Sequence, residues 1–414
     1  EFAERGVTED DLVKFKAGYE SSRGFGLQSV AGKVSTLGAF ETFTGSPRGI
    51  DDEIRRYLAV ETTDVQEAFD EYIAGKPAVI LSIVPNGQPQ LAAAEQNYEW
   101  NRTIPDSYAD EGQELALRPV TDTFDRSVQP TPGVNPQVEL PPIWDVTLAN
   151  GVRLLAVPNT ETPTVTVRAV FDVGQRDEPN GKAGLTALMA SLMGEATTER
   201  SAAEFAEALG RLGASISVSP GQYETTVTLN VLAKHLDAAM PLMLERILKP
   251  AFSEEDFARV KQQTLEGLQQ QRKTPEGLAT RAVGAVMRGP EHPLSFPTSG
   301  LPGTVETITL EDIKAYYAAH FPNHLSGVTV SSSLPQEAIV QAADGLAQLE
   351  VTEAIRPAIA MERPAIDGRT VYLVNKEGAA QSSLRTGQHA LPYDALGDYY
   401  RAGLANFPLG GSFS

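Results

Sequence analysis

One pattern occurs twice in this sequence, and it limits the folds open to the chain more than length or composition does. Phe252-Ser253-Glu254-Glu255-Asp256-Phe257 restates Val7-Thr8-Glu9-Asp10-Asp11-Leu12, and Thr309-Leu310-Glu311-Asp312-Ile313 restates Thr62-Thr63-Asp64-Val65. The spacing hardly drifts: Asp11 and Asp256 are 245 positions apart, and Asp64 and Asp312 are 248 apart. In each copy a run of strand-forming residues that closes on proline follows, Val79 to Pro85 and Val328 to Pro335. Chance similarity does not hold a spacing in this way, so a helix, helix, helix, strand module is expected twice. Each copy opens with a hydroxyl residue followed by acids, which caps a helix and suits the positive end of its dipole.

In the first copy the helices are expected to run from Thr8 to about Ser22, from Leu27 to about Phe43, and from the Thr62-Thr63-Asp64 cap through Tyr72. Ala78 to Pro85 is a buried-strand type of run. Periodicity then fails to about Pro142, with prolines at 89, 105, 119, 130, 132, 136, 141 and 142. That is an extended linker, with Tyr98, Trp100, Tyr108 and Phe124 expected to anchor it to its neighbours. A new domain follows. Trp144 to Leu148, the turn Asn150-Gly151, and Val152 to Val157 predict paired antiparallel strands, and Thr164 to Val173 alternates as a third. Helices are expected over 183–193, after the Ser201 cap to Leu212, and over 232–248, with strands at 215–218 and 224–231. The fold class is α+β, antiparallel sheets with helices packed on one face, in repeated domains.

Charge and composition remove several kinds of function. The formal charge is −20, from 54 acidic and 34 basic residues, so a phosphate backbone would be repelled and no nucleic-acid partner is expected. The chain has no cysteine, which rules out thiolate catalysis and Cys-ligated zinc. No apolar run approaches the roughly 20 residues that span a bilayer, and no membrane partner is expected. No G-x-S-x-G elbow is present, and Gly174, Gly181 and Gly184 lack the spacing of a dinucleotide fingerprint.

The segment Gly184 to Gly194 follows Phe171-Asp172-Val173-Gly174-Gln175-Arg176-Asp177-Glu178-Pro179 and precedes Ala208-Leu209-Gly210-Arg211-Leu212-Gly213-Ala214. In that setting it resembles the catalytic helix of the M16 zinc peptidases, the pitrilysin and insulinase type. The resemblance implies an H-x-x-E-H motif in active members, with two His holding zinc and the Glu activating a water. Here the three positions are Ala187, Ala190 and Ser191. A further Glu ligand implied on the helix 254–271 aligns with Gly267. Glu266 is adjacent, but neighbouring helix positions point roughly 100 degrees apart, so it is expected on the surface.

The five histidines are His235, His292, His320, His324 and His389, and none forms a helical zinc pair with an acid. His320 and His324 flank Pro322, which is expected to end a helix. His292 lies in a Glu-His-Pro turn, and His235 on a helix face. No catalytic, cofactor-binding or metal-binding residue is therefore expected in this chain. Zinc is expected only in a catalytic unit elsewhere.

The resemblance further implies the layout. Residues 1–87 would be the end of an M16 C-terminal-type domain of a first unit, 88–142 a linker, 143–360 an N-terminal-type domain of a second unit without its zinc motif, and 361–414 the start of the next domain. Glu1 to Gly6 and Leu409 to Ser414 look cut through structure. The expected role is the non-catalytic half of a bacterial two-unit zinc metallopeptidase, active in proteolysis only through a catalytic M16 unit. It would form chamber wall and a binding surface for unfolded peptide, and the resemblance implies a periplasmic location. The alternative is a purely structural M16 homologue, a scaffold without peptidase activity.

Overall fold

The computed structural model describes residues 2–95, 139–290, 292–353, 368–394 and 396–408, with single positions at 97, 125, 127, 128, 131, 133, 134, 137 and 364. Two compact units are present, Glu1–Thr62 with Pro141–Ser414, and Thr63–Leu140.

The larger unit is built on a six-stranded sheet. Its strands are β1 (Trp144–Thr147), β2 (Arg153–Pro158), β3 (Thr164–Phe171), β4 (Ser215–Pro220), β5 (Thr225–Leu232) and β6 (Leu325–Ser332), in the order β1-β2-β6-β3-β5-β4. Period-two alternation decides which side chains enter the core. Val165, Val167, Ala169 and Phe171 of β3 are buried, while Arg168 between them is exposed. Asn150-Gly151 turns β1 into β2, with Gly151 at a φ of 84°. Pairing is antiparallel except between β2 and β6, which run parallel, so β6 lies between a parallel and an antiparallel neighbour.

Helices of nine or more residues are numbered here. Those of the sheet domain are α5 (Leu185–Met193), α6 (Ala202–Leu212), α7 (Leu236–Leu248), α8 (Glu254–Gln271), α9 (Pro275–Arg288) and α10 (Leu310–His320), after α1 (Glu9–Gly26), α2 (Val30–Thr44), α3 (Ile50–Ala59) and α4 (Thr62–Tyr72), and before α11 (Asp398–Asn406). α5 packs on β4, on α8 and on α10, and α7 packs on β5. Leu188, Met189 and Met193 of α5, Met243 and Ile247 of α7, and Ile313 of α10 share one core with the sheet's inner face. Each such side chain contributes about 1.5–3 kcal/mol by leaving water.

α1 packs along α6, and its far end reaches β3 and β5. Asp10 accepts from Arg211 Nε at 2.5 Å, Gln28 Nε2 donates to Thr164 Oγ1 at 2.8 Å, and Lys234 Nζ donates to Glu20 at 2.6 Å. Gly213 ends α6 with a φ of +56°, and a Cβ there would stand 2.3 Å from the Ala17 carbonyl oxygen. This glycine therefore serves both the left-handed helix stop and the close approach of α1.

The two copies of the repeat match in detail. α1 and α8 are each 18 residues, capped by Thr8 and Ser253, whose side chains accept from Asp11 and Asp256. α4 and α10 are each 11 residues. α9 is the middle helix of the second copy, and α3 is a helix that the sequence pattern did not mark.

The strand expected over 78–85 does not form. Residues 76–85, in the smaller unit, carry no regular structure, and Val79, Ile80, Leu81 and Ile83 are 100, 72, 82 and 88% exposed. β6, its counterpart, is held by hydrogen bonds to β2 and β3 on either side, and among the described residues of the smaller unit no strand offers such a ladder. At the other end α11 forms, and no strand forms among residues 368–394. Tyr98, Trp100, Tyr108, Phe124, Glu1 and Leu409 to Ser414 lie outside the described residues.

Candidate functional site

The helix that carries the motif positions is anchored at both ends by polar groups, a half-buried Glu178 and a buried Arg246. α5 starts from Gly184, whose φ of +101° leaves no side-chain cap; a Cβ there would meet the Ser299 carbonyl oxygen at 2.9 Å. Glu178 replaces the missing cap. Its carboxylate accepts the backbone N–H groups of Gly184 at 3.1 Å and Thr186 at 2.8 Å. Burial pushes this carboxyl up to about 7, against the opposing pull of the Thr186 and Gly184 hydrogen bonds. Thr186 Oγ1 lies 3.0 Å from Tyr316 OH, which donates to the Gly174 carbonyl. At the other end Arg246 NH1 donates to the carbonyl of Met193 at 2.7 Å and to that of Glu195, and its guanidinium lies 3.8 Å from the centre of the Phe205 ring. Burial lowers the Arg246 pKa to about 10.

Beside Arg246, Glu245 accepts from Thr197 Oγ1 at 2.5 Å and pairs with Arg200. Glu178 and Arg246 were not singled out from sequence. The available signal for Glu178 was an acid shortly before a helix that begins on glycine.

The four motif positions lie on α5 and α8, which pack together. Ala190 is 3% exposed, Ala187 is half-buried, and Ser191 is exposed with its Oγ donating back to the Ala187 carbonyl at 3.0 Å. Gly267 is exposed, and nothing lies within 4 Å of where its Cβ would be. Glu266 is exposed and accepts from Gln262 Nε2 at 2.8 Å, one turn back on its own helix. Zinc takes imidazole nitrogen, thiolate or carboxylate oxygen. Two methyl groups, a hydroxyl bonded to its own helix and a hydrogen atom do not fit it.

The histidines are dispersed. His235 ends a 3-10 turn just before α7 and not on its face, and its ring is held below its ordinary pKa by burial and by Lys234. His292 Nδ1 accepts from the Leu294 N–H at 3.1 Å in a 3-10 turn. α10 ends at His320, two residues before Pro322, and the His320 ring lies 4.8 Å from Tyr316 and 5.6 Å from His324. His389 is exposed, with Nε2 3.3 Å from the Pro364 carbonyl. Among the described residues no group of three or more His, Asp or Glu side chains is arranged to hold a metal ion.

β4 forms one edge of the sheet and runs beside α5. Ser215, Ser217 and Ser219 are exposed along it, and Ile216 and Val218 turn inward. An edge strand of this kind can hydrogen-bond an extended peptide through its backbone.

Residues 153–292 match the sequence profile of Insulinase (Peptidase family M16), a span that begins at β2 and contains α5 and α8. The chain is 22% identical over 200 residues to an "uncharacterized zinc protease" of Rickettsia bellii, covering 48% of each. It is 24% identical over 249 residues to "zinc protease PqqE" of Helicobacter pylori, covering 58% of this chain and 55% of that one. A "non-peptidase homolog YmxG" of Helicobacter pylori is 26% identical over 170 residues, 41% of this chain and 39% of that one. The chain thus spans about half the length of the curated relatives it matches. A solved "peptidase M16 inactive domain" of Pseudomonas fluorescens aligns with a TM-score of 0.49 at 23% identity, over 54% of each chain. That profile lies on the sheet and on the anchored helix α5, so residues 153–292 are similar to peptidase family M16.

Proposed function

We propose that this chain is a non-catalytic half of an M16 metallopeptidase, forming chamber wall and a peptide-binding surface for an H-x-x-E-H unit elsewhere. The observation that carries the reading is α5 itself. Its frame is kept, with Glu178 at the start and Arg246 at the end, while Ala187, Ala190, Ser191 and Gly267 present no zinc ligand. The β4 edge beside it supports a peptide-binding role, because backbone pairing accepts an extended chain whatever its side chains. The proposal includes the layout of residues 1–87, 88–142, 143–360 and 361–414 given above, a catalytic M16 partner unit, unfolded peptide as ligand and a periplasmic location.

The second reading, a scaffold without any part in proteolysis, is favoured by the relative named as a non-peptidase homologue. Two measurements on the full chain separate the readings: zinc by elemental analysis, and anisotropy of a fluorescein-labelled unfolded peptide with its cleavage followed by mass spectrometry. Peptide bound and left intact, without stoichiometric zinc, is the expected result. Tightly held zinc with zinc-dependent cleavage would overturn both readings, and absence of peptide binding would leave the scaffold.

A further inference from the structure

Three Asn-Gly pairs occur in the sequence, at 86–87, 150–151 and 180–181. The pair is chemically distinctive, because glycine has no Cβ and its backbone nitrogen can approach the side-chain amide carbon of the preceding asparagine. The structure treats the three pairs differently.

Asn150-Gly151, the turn from β1 to β2, is clamped. Gly151 N–H donates to the Leu148 carbonyl at 2.9 Å, so its nitrogen is committed to the turn. Asn150 Nδ2 donates to the carbonyls of Leu346 and Leu349 at 2.9 and 3.1 Å, and Oδ1 accepts from the Val152 N–H at 3.2 Å. Leu346 and Leu349 are both buried, which ties this amide to the core.

The other two pairs share a local sequence and a local shape. Pro85-Asn86-Gly87-Gln88 and Pro179-Asn180-Gly181-Lys182 each close by a hydrogen bond from the last residue's N–H to the proline carbonyl, at 3.1 and 3.0 Å. Gly87 and Gly181 have φ of 82° and 80°, the value that a type II turn demands at its third position. The turn bond therefore leaves the glycine N–H out. Asn86 and Asn180 are exposed together with their glycines, and nothing lies within 4 Å of where either glycine's Cβ would be. Among the described residues no hydrogen bond holds either side-chain amide.

We propose that Asn86 and Asn180 are sites of spontaneous deamidation and that Asn150 is held against it by its turn. The nitrogen of Gly87 or Gly181 gives up its proton and attacks Cγ of the asparagine before it. The Cγ–Nδ2 bond breaks, and the amide leaves as ammonia, taking a proton. Water then opens the five-membered imide at either carbonyl, leaving aspartate or isoaspartate with a carboxylate where the amide stood. At 180 the change falls in the tether between Glu178 and Gly184, whose hydrogen bond starts α5, and isoaspartate lengthens that tether by a methylene. The proposal rests on the turns and does not depend on whether the chain binds peptide.

To test it, the full chain is incubated at mildly alkaline pH in water enriched in heavy oxygen, then digested in ordinary water and read by mass spectrometry. Heavy oxygen at a former asparagine marks an imide that opened during the incubation. Label and isoaspartate are expected at 86 and 180, accumulating at least about tenfold faster than at 150, where reaction waits on opening of the turn. In chain unfolded by urea the three rates should converge, since the reacting pair is the same. N86Q and N180Q should each abolish label at its own site, because glutamine would have to close a larger ring, and should leave the thermal transition unchanged. Equal conversion of the three sites in the folded chain, or no conversion at 86 and 180 under conditions that convert the unfolded chain, would overturn the proposal.

Discussion

Single residues in this chain hold surfaces that lie far apart in sequence. Gly213 is the sharpest case, since its φ of +56° and the Ala17 carbonyl oxygen both exclude a side chain. G213A should lower unfolding stability by about 2–3 kcal/mol in urea titration, part from the left-handed conformation and part from displacing α1. A change within a few tenths of a kcal/mol would mean that α1 does not press on α6 in solution. Glu178 gives a pH signature. Its carboxyl is pushed up to about 7 by burial, from an ordinary value of 4.5, so the folded chain binds the proton more tightly than the unfolded one. Its contribution is full below about 4.5, declines as pH rises towards 7, and is gone above that, a difference on the order of 3 kcal/mol. Asp256 and Asp312 act with the opposite sign and at lower pH. The Ser253 hydroxyl and the Lys182 ammonium hold them below their ordinary value, and what they contribute is lost only as pH falls below about 4. E178Q should therefore flatten the fall in stability between pH 5 and 7.5 and leave the acid limb in place, which unfolding curves across that range would check.

At the scale of elements, equal sequences meet unequal fates. β6 and residues 78–85 follow matched helices, yet only β6 has neighbours to bond with. Amide exchange followed by mass spectrometry on dilute chain should show β6 strongly protected and residues 79–84 exchanging close to the unprotected rate. Protection of both at low concentration would mean that the 78–85 run has found a ladder within a single copy. α5 shows the reverse relation, an element whose packing is complete without any metal ligand on it. Its apolar side chains Leu188, Met189 and Met193 fill the core, so packing alone is sufficient reason for the helix to persist when Ala187, Ala190 and Ser191 carry no ligand.

For the whole molecule, the acidic charge and the lack of cysteine narrow the chemistry before any fold is known. The six-stranded sheet and the helices packed on it sit in the larger unit. The larger unit also contains α1, through Asp10, Gln28 and Glu20 on α6, β3 and the Lys234 turn. The likeness to the M16 peptidases lies in the span 153–292.

The sequence by itself determined the repeat, the bounds of α8 from its Ser253 cap and acidic first turn, the alternation of β3, and the identities at positions 187, 190, 191 and 267. These are legible because caps, period two and period 3.6 act between residues a few positions apart. Only the tertiary structure decided that β6 runs parallel to β2, that 78–85 stays outside any sheet, that Gly213 abuts Ala17, and that Glu178 bonds the first backbone N–H groups of α5. Each of those depends on a partner supplied from elsewhere in the chain or not supplied at all, and burial and strand pairing are set by that partner rather than by the local pattern.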